Sequence, residues 1–405
     1  MKLKNIDLAA ERIRQSVERG EQVVIFGDSD LDGVASVVIV KETIDNLVSL
    51  LSNKEKEDYP PIFPCFPDRR NEGYGLNNKA LAFIKSQINL TSGKKCLLIT
   101  LDCGITNYDE VLDAKNSGFD VIIVDHHLPI GGRLPEADIV VDPKQPGDEF
   151  LFKEYCNAGL AFKLSQEILG DTMSPLLRES LLELTALATI ADMMIEEDEN
   201  RDFIFEGLAT VELSSRPALK ALIELLKKDE QFNSTRDLAS RINGVLNSSK
   251  MENHVVLPYY YLVESDLKKA KRMARELIDE HENRQREIFS LTENIKYKLS
   301  EEPGTPIIFD GSSDWSIEFL GAVASRLSNY YDKPVFLYEK YADFSRGTVR
   351  VPKRYDAVKA METCKDLLKT FGGHPAAAGF TVPNGNVEKF KECLLTYFNN
   401  LNLEQ

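Results

Sequence analysis

The sequence predicts an α/β protein: an N-terminal domain on a parallel sheet, a helical connector, and a smaller α/β domain towards the C-terminal end. Three observations carry this. Short, almost wholly apolar runs alternate with helix-length segments in the first part of the chain, and a long charged helical stretch follows. Strand signals then return after about Pro303. Apolar runs separated by helices are the pattern of strands buried on both faces of a parallel sheet.

Taken in order, "MKLKNIDLAAERIRQ" reads as an amphipathic helix without the apolar block of a signal peptide. "EQVVIFGD" is a buried strand, and a helix is predicted from Gly33, "GVASVVIVKETIDNLVSLL". "KKCLLITLD", "FDVIIVDHH" and "ADIVVD" are three further strands, with helix signals after "CGITN". Residues 151–210 are helical, and "LLELTALATIADMM" is apolar enough to be a buried helix ending near Asp192, followed by an exposed turn, "EEDENR". Residues 215–300 are mainly helical. "TPIIFDG" and "KPVFLYE" flank the helix "EFLGAVASRLSNYY". The predicted domains are 1–210, 211–300 and 301–405. No internal repeat or low-complexity tract is visible.

At 405 residues the chain can bury two cores, and its 43% hydrophobic and 28% charged residues are those of a globular protein. No apolar run reaches the roughly 18 residues of a membrane span, so no membrane association is expected. Six scattered cysteines without a CxxC pair predict reduced thiols and a cytoplasmic location. The net charge of −16 argues against strong nonspecific binding to nucleic acid. A local basic groove is still compatible with it, and a carboxylate cluster neutralised by divalent ions would inflate the formal count.

Such a cluster is visible. "FGDSDLDGVAS" places Asp28, Asp30 and Asp32 two residues apart. In an extended segment these side chains leave on one side, and converging carboxylates suit Mg²⁺ or Mn²⁺. The second strand ends on Asp102 and the third on Asp125, His126 and His127; Asp192 closes the buried helix. In open parallel sheets, sites form at this C-terminal edge. Mixed carboxylate and imidazole donors favour Mn²⁺, with Mg²⁺ as the alternative. Five or six donors exceed the need of one ion, so two ions are expected. Metals about 4 Å apart activate water and stabilise in-line displacement at phosphorus.

With these residues placed, the chain resembles the DHH phosphoesterase superfamily and, within it, RecJ-type single-strand exonucleases. "GDSDLDGVAS", "FPDRRNEGYGLN", "TLDCGI", "VDHHLP" and "LATIADM" occur in that family's order. "DPKQPGDEF" and "NAGLAFKL" resemble its connecting segments. "GAVASRL", "RGTVR" and "GGHPAAAGF" resemble its DHH-associated C-terminal domain. The resemblance implies metal ligation by Asp28, Asp30, Asp32, Asp102, His126 and Asp192, with Asp102 as the bridge. It implies that Asp125 orients an imidazole, and that His127 contacts the scissile phosphate or protonates the leaving oxygen. Arg69, Gln285, Thr348, Arg350, Gly372, Gly373 and His374 would hold the substrate, and Tyr74 is a candidate for base stacking. The stripe of Lys and Arg from Lys268 to Arg286 is interleaved with acids and reads mostly as a solvated face.

The implied activity is Mn²⁺-dependent exonuclease action on single-stranded nucleic acid, DNA rather than RNA, from the 5′ end. A replication or repair protein partner is compatible with it. Three departures bear on substrate. The family's "WHxG" is "WSIE" here, with Ser316 and Glu318; the arginine that often follows "RIN" is missing from "RINGVLNSSKM", where Lys250 is the replacement; and the sequence ends soon after "GGHPAAAGF", where bacterial RecJ proteins carry an oligonucleotide-binding barrel. Together they suggest a weaker grip on long DNA. The alternatives are a short-oligonucleotide or dinucleotide phosphodiesterase and a non-catalytic replication scaffold.

Overall fold

The computed structural model describes residues 2–51, 61–69, 71–88, 95–248, 250–301 and 304–403. The chain divides into two compact units, Met1–His281 and Glu282–Gln405. The expected start of the last domain at Pro303 falls outside the described residues.

The first unit begins with α1 (Ile6–Glu18), β1 (Gln22–Gly27), α2 (Leu31–Leu51), β2 (Phe63–Cys65) and α3 (Asn78–Gln87). It continues through β3 (Cys96–Leu101), α4 (Tyr108–Asn116), β4 (Phe119–Val124) and β5 (Ile139–Val141). The five strands form a parallel sheet in the order β2-β1-β3-β4-β5. Continuous apolar runs are needed because both faces are covered. Val23, Ile25, Leu97, Ile99, Ile122 and Val124 enter one core, and Val24, Phe26, Leu98, Val121 and Ile123 the other. The chain leaves β1 for β2 on one side and returns to β3 on the other. This change of direction opens a crevice beyond the C-terminal ends of β1 and β3.

Helices α5 (Asn157–Leu169), α6 (Pro175–Ala191), α7 (Asp198–Val211), α8 (Pro217–Asp229) and α9 (Thr235–Leu246) follow. Then come a two-stranded hairpin, β6 (Met251–Glu252) and β7 (Val255–Val256), and α10 (Leu257–Leu262). The helical region expected over 211–300 is present, as α8, α9, α10 and the long helix after them. Leu219, Leu222, Ile242 and Tyr261, on helices that each carry an apolar face, are buried with Val256 of β7 in the same core as α2 and α5. The 35-residue α11 (Leu267–Glu301) contributes Ala274 and Leu277 to that core and Ile288 and Ile295 to a core of the second unit.

The second unit contains β8 (Ile308–Ser312), α12 (Ile317–Tyr331), β9 (Val335–Lys340), β10 (Phe344–Arg350), α13 (Ala357–Glu362), β11 (Thr370–His374), β12 (Ala377–Pro383) and α14 (Val387–Leu403). Its sheet runs β11-β12-β10-β9-β8, with only the β8–β9 pair parallel. Phe336, Phe380 and Phe390 centre one face and Leu320, Leu327 and Leu337 the other. A disulfide joins Cys364 to Cys393, correcting the expectation that all thiols are reduced; the pairing spans 29 residues and had no spacing signal. Cys65, Cys96, Cys103 and Cys156 are buried free thiols. Among the described residues, no helix is long and apolar enough to cross a membrane.

Candidate metal centre

The acidic triplet does not converge in the extended form that its two-residue spacing suggests. Strand β1 ends at Gly27, Asp28 follows, and α2 starts at Leu31, two residues before the predicted Gly33. Asp30 accepts a hydrogen bond from the Gly33 N–H at 3.2 Å, which caps the helix, and Asp32 lies in the first turn. A strand–turn–helix therefore gathers the carboxylates. Gly33 is required by close approach: a Cβ there would lie 2.3 Å from the Asp28 carbonyl oxygen.

Asp32 accepts from the backbone N–H groups of Asn157 (2.6 Å) and Ala158 (2.8 Å), at the start of α5. The partial positive charge of that helix end suits a buried carboxylate. Asp102 follows β3 directly in the left-handed region, φ 62°. The buried Asn157 amide ties these elements together. Oriented to satisfy all its neighbours, Nδ2 donates to the Val124 carbonyl (2.9 Å), and Oδ1 accepts from Ser36 Oγ (3.0 Å) and the Asp102 N–H (2.9 Å). Its segment was legible as a connecting stretch, but this role was not.

Both histidines follow β4, and each is oriented through Nδ1. His126 Nδ1 lies 2.8 Å from the Tyr155 carbonyl, which can only accept, so Nε2 carries the lone pair when the ring is neutral. That Nε2 is 3.1 Å from Asp102 Oδ1, 3.8 Å from Asp192 Oδ2 and 3.9 Å from Asp32 Oδ2. His127 Nδ1 lies 2.8 Å from Asp125 Oδ1, so Asp125 orients His127 rather than His126. Asp125 also accepts from the Ile105 and His126 N–H groups.

The donor atoms form three compact groups: Asp28–Asp30–Asp102, Asp32–His126–Asp192 and Asp102–His126–His127. Asp102 belongs to two of them. Burial, then the charges of Asp192 and Asp30, push Asp32 up to about 8. Burial and Asp30 push Asp192 up to about 6, and burial with the other carboxylates raises Asp102 well above the usual range. Burial, then the charge of His127, lowers His126 to about 4. Burial opposes charge on His127, but its bond to Asp125 outweighs this and raises it to about 9. Asp192 Oδ2 is buried without a hydrogen-bond partner. Crowded carboxylates, a neutral imidazole and an orphaned oxygen are the donor set that divalent cations fit.

Arg69 and Tyr74 lie beside this cluster. Arg69 donates from Nε to Asp28 (2.7 Å) and from Nη2 to Asp30 (2.9 Å), and its guanidinium stacks 4.6 Å from the Tyr74 ring. The expected phosphate-binding arginine is thus ion-paired to two expected ligands.

The remaining predicted substrate residues belong to the second unit. Thr348 and Arg350 are on β10, and Gly372, Gly373 and His374 on β11, with β12 between the two strands. Arg350 Nη1 donates to Thr348 Oγ1 (2.9 Å); burial alone lowers the arginine, and no carboxylate is paired with it among the described residues. Gly373, φ 136°, has no room for a Cβ, whereas Gly372 is open. The His374 side chain lies outside what is described. Gln285, on α11, accepts from Arg326 at 2.7 Å.

Comparison with known proteins follows the same division. The DHH family N-terminal domain matches residues 22–189, and the DHHA1 domain matches residues 304–400. The chain is 33% identical over 401 residues to the single-stranded-DNA-specific exonuclease RecJ of Bacillus subtilis, covering 97% of this chain and 47% of that protein. It therefore spans about half the length of that relative. A crystal structure of exonuclease RecJ bound to manganese superimposes with a TM-score of 0.79 at 28% identity, covering 98% of this chain and 95% of the other. RecJ of Thermus thermophilus in complex with Mn²⁺ gives 0.78 at 26% identity, over 99% of this chain and 55% of that one. The two domain matches, the similarity to RecJ over nearly the whole chain and the superposition agree: the chain belongs to the DHH family and is RecJ-like.

Proposed function

We propose that this chain is a divalent-metal-dependent exonuclease that hydrolyses phosphodiester bonds in single-stranded DNA, stepwise from the 5′ end. The carrying observation is the convergence of Asp28, Asp30, Asp32, Asp102, His126 and Asp192 beyond the ends of β1, β3 and β4 and at the end of α6. These six would hold the cations, and Asp102, which belongs to two of the three donor groups, would serve two of them. Mn²⁺ is the preferred ion and Mg²⁺ the alternative. When bound, the cations neutralise the carboxylates, activate water and offset charge developing on the phosphate.

The chain's own groups supply the rest. Asp125 fixes His127, which contacts the scissile phosphate or protonates the leaving oxygen. Arg69, which donates to Asp28 and Asp30 here, would be available to a substrate phosphate if cations took over those carboxylates. Arg350, a partly buried guanidinium whose charge is not offset by a carboxylate among the described residues, suits a second phosphate. Thr348, Gly372, Gly373 and His374 line the same strands, and Gln285 contacts the strand from α11. A cytoplasmic enzyme in replication or repair, with or without a protein partner, fits this chemistry.

The test is a time course on 5′- and 3′-labelled single strands with Mn²⁺, Mg²⁺ or chelator. Progressive loss from the 5′ end in Mn²⁺ alone, or better in Mn²⁺ than Mg²⁺, is expected. Internal cutting, or loss unaffected by chelator, would rule the proposal out.

A further inference from the structure

The segment from Phe66 to Asn77 carries Arg69 and Tyr74 and lies between β2 and α3, without strand or helix among its described residues. Local backbone turns, with the Glu72 N–H on the Asp68 carbonyl (2.8 Å) and the Asn71 N–H on the same oxygen (3.1 Å), shape it together with side chains. Glu72 is its internal tie: Oε2 accepts from the Asp68 N–H (3.2 Å) and from Asn77 Nδ2 (3.4 Å), while Asn77 caps α3 through the Ala80 N–H.

An external tie comes from the β6–β7 hairpin, whose first residue, Met251, closes the stretch "RINGVLNSSKM". Glu252 pairs with Val255, so Asn253 and His254 form a two-residue turn, with φ 50° and 57°. Such a turn favours glycine in its second position. A histidine there is held in a sparsely populated conformation, and it makes four contacts. Its carbonyl accepts from the Phe66 N–H (2.8 Å) and its Nδ1 lies 3.2 Å from the Phe66 carbonyl. Nε2 is 3.6 Å from Glu72 Oε1, and the ring stacks on Phe83 of α3 at 4.3 Å.

We infer that His254 is a positioning residue for substrate: it latches the Phe66–Asn77 segment to the hairpin and so fixes where Arg69 and Tyr74 meet the nucleic acid. This rests on the nuclease reading above. His254 touches none of the assigned metal ligands; its action passes through Glu72, Phe66 and Phe83. Removing it therefore leaves the metal centre intact and loosens the clamp.

The experiment compares wild type with His254→Gly, which suits the turn but lacks the ring, and with His254→Asn, which also tolerates positive φ. Hydrogen exchange, thermal denaturation, and Mn²⁺-dependent kinetics on a labelled 20-nucleotide strand and on bis(p-nitrophenyl) phosphate are measured. For His254→Gly we expect faster exchange confined to residues 66–77, an unchanged or higher melting temperature, and a strand KM raised about tenfold, the size of a small misplacement of a binding group. Turnover of the small diester, which needs no clamp, stays within about twofold, and His254→Asn falls between the two. Unchanged exchange at 66–77, or equal losses on both substrates, overturns the latch. If wild type degrades no strand in Mn²⁺, the nuclease reading fails, and the exchange result alone decides whether the latch exists.

Discussion

Arg69 donates from Nε to Asp28 Oδ1 at 2.7 Å, and the same guanidinium reaches Asp30 at 2.9 Å. If Asp28 and Asp30 are metal ligands as proposed above, arginine and metal would compete for the same two carboxylates. Arg69→Ala removes the competitor and leaves the acids uncompensated. The metal-free variant should lose about 1–3 kcal/mol of stability, the usual penalty for an orphaned buried polar partner. The rise in melting temperature on adding Mn²⁺ should be larger than in wild type, while strand KM increases. A smaller Mn²⁺ response in the variant would show that Arg69 does not share this ground with the metal.

Asp102 and Asp125 are neighbours with different expected effects. Asp102→Ala should reduce strand cleavage at least about a thousandfold, as loss of a member of a concerted catalytic set does, and should blunt the Mn²⁺-induced thermal shift. Asp125→Asn keeps the shape but weakens the hold on His127. Activity should fall about 10–100-fold, the range for outer partners of metal-site residues. Assays with a Mn²⁺ titration separate the two; equal effects on metal response would contradict the assignment.

Away from the centre, α6 and α7 cross at Gly207, where an added Cβ would sit 2.4 Å from the Leu182 carbonyl oxygen and 2.6 Å from Ala186 Cβ. Gly207→Ala should cost about 1–3 kcal/mol by overpacking, measured by urea denaturation. Metal affinity per folded molecule should be unchanged.

The Arg12–Asp120–Glu21 cluster predicts a pH dependence. Arg12 lies 2.9 Å from Asp120 and 2.6 Å from Glu21. Burial raises Asp120, but hydrogen bonds from Arg12 and Lys95 outweigh it and hold the carboxyl below its ordinary value. A folded pKa below the unfolded one gives stability that is present above the unfolded value, near 3.9, and lost as pH falls through the folded value. Arg12→Met should therefore be less stable than wild type by about 1 kcal/mol at pH 7. The gap should narrow below pH of about 4. An equal gap at pH 7 and pH 3 would contradict the electrostatic origin.

The parallel sheet was legible because β1, β3 and β4 are buried on both faces and cannot hide their apolar runs. The acidic and imidazole residues were legible as strand-end residues because the chain places them directly after those runs. Other parts came from contacts distant in sequence. The Tyr155 carbonyl orients His126 from 29 residues away, Arg69 reaches back 41 residues to Asp28, and Cys364 finds Cys393. The onset of α2 was misjudged because Asp30 caps the helix from inside the acidic run, so the carboxylates that suggested an extended segment also start the helix. How the helical region packs was not legible for a similar reason: charged faces on α8 and α9 conceal apolar faces that only their packing partners reveal.

Asp192 is the last residue before the chain reverses out of α6. The reversal is held by the Met193 N–H on the Ile190 carbonyl and the Met194 N–H on the Thr189 carbonyl, with Met193 at φ 56° where glycine is commonest. The ligand role proposed for Asp192 would thus hang on the part of a helix most prone to fraying. On that assignment, warming should release bound Mn²⁺ before the protein melts, and a glycine that tightens this bend should widen the temperature range over which added Mn²⁺ stays bound.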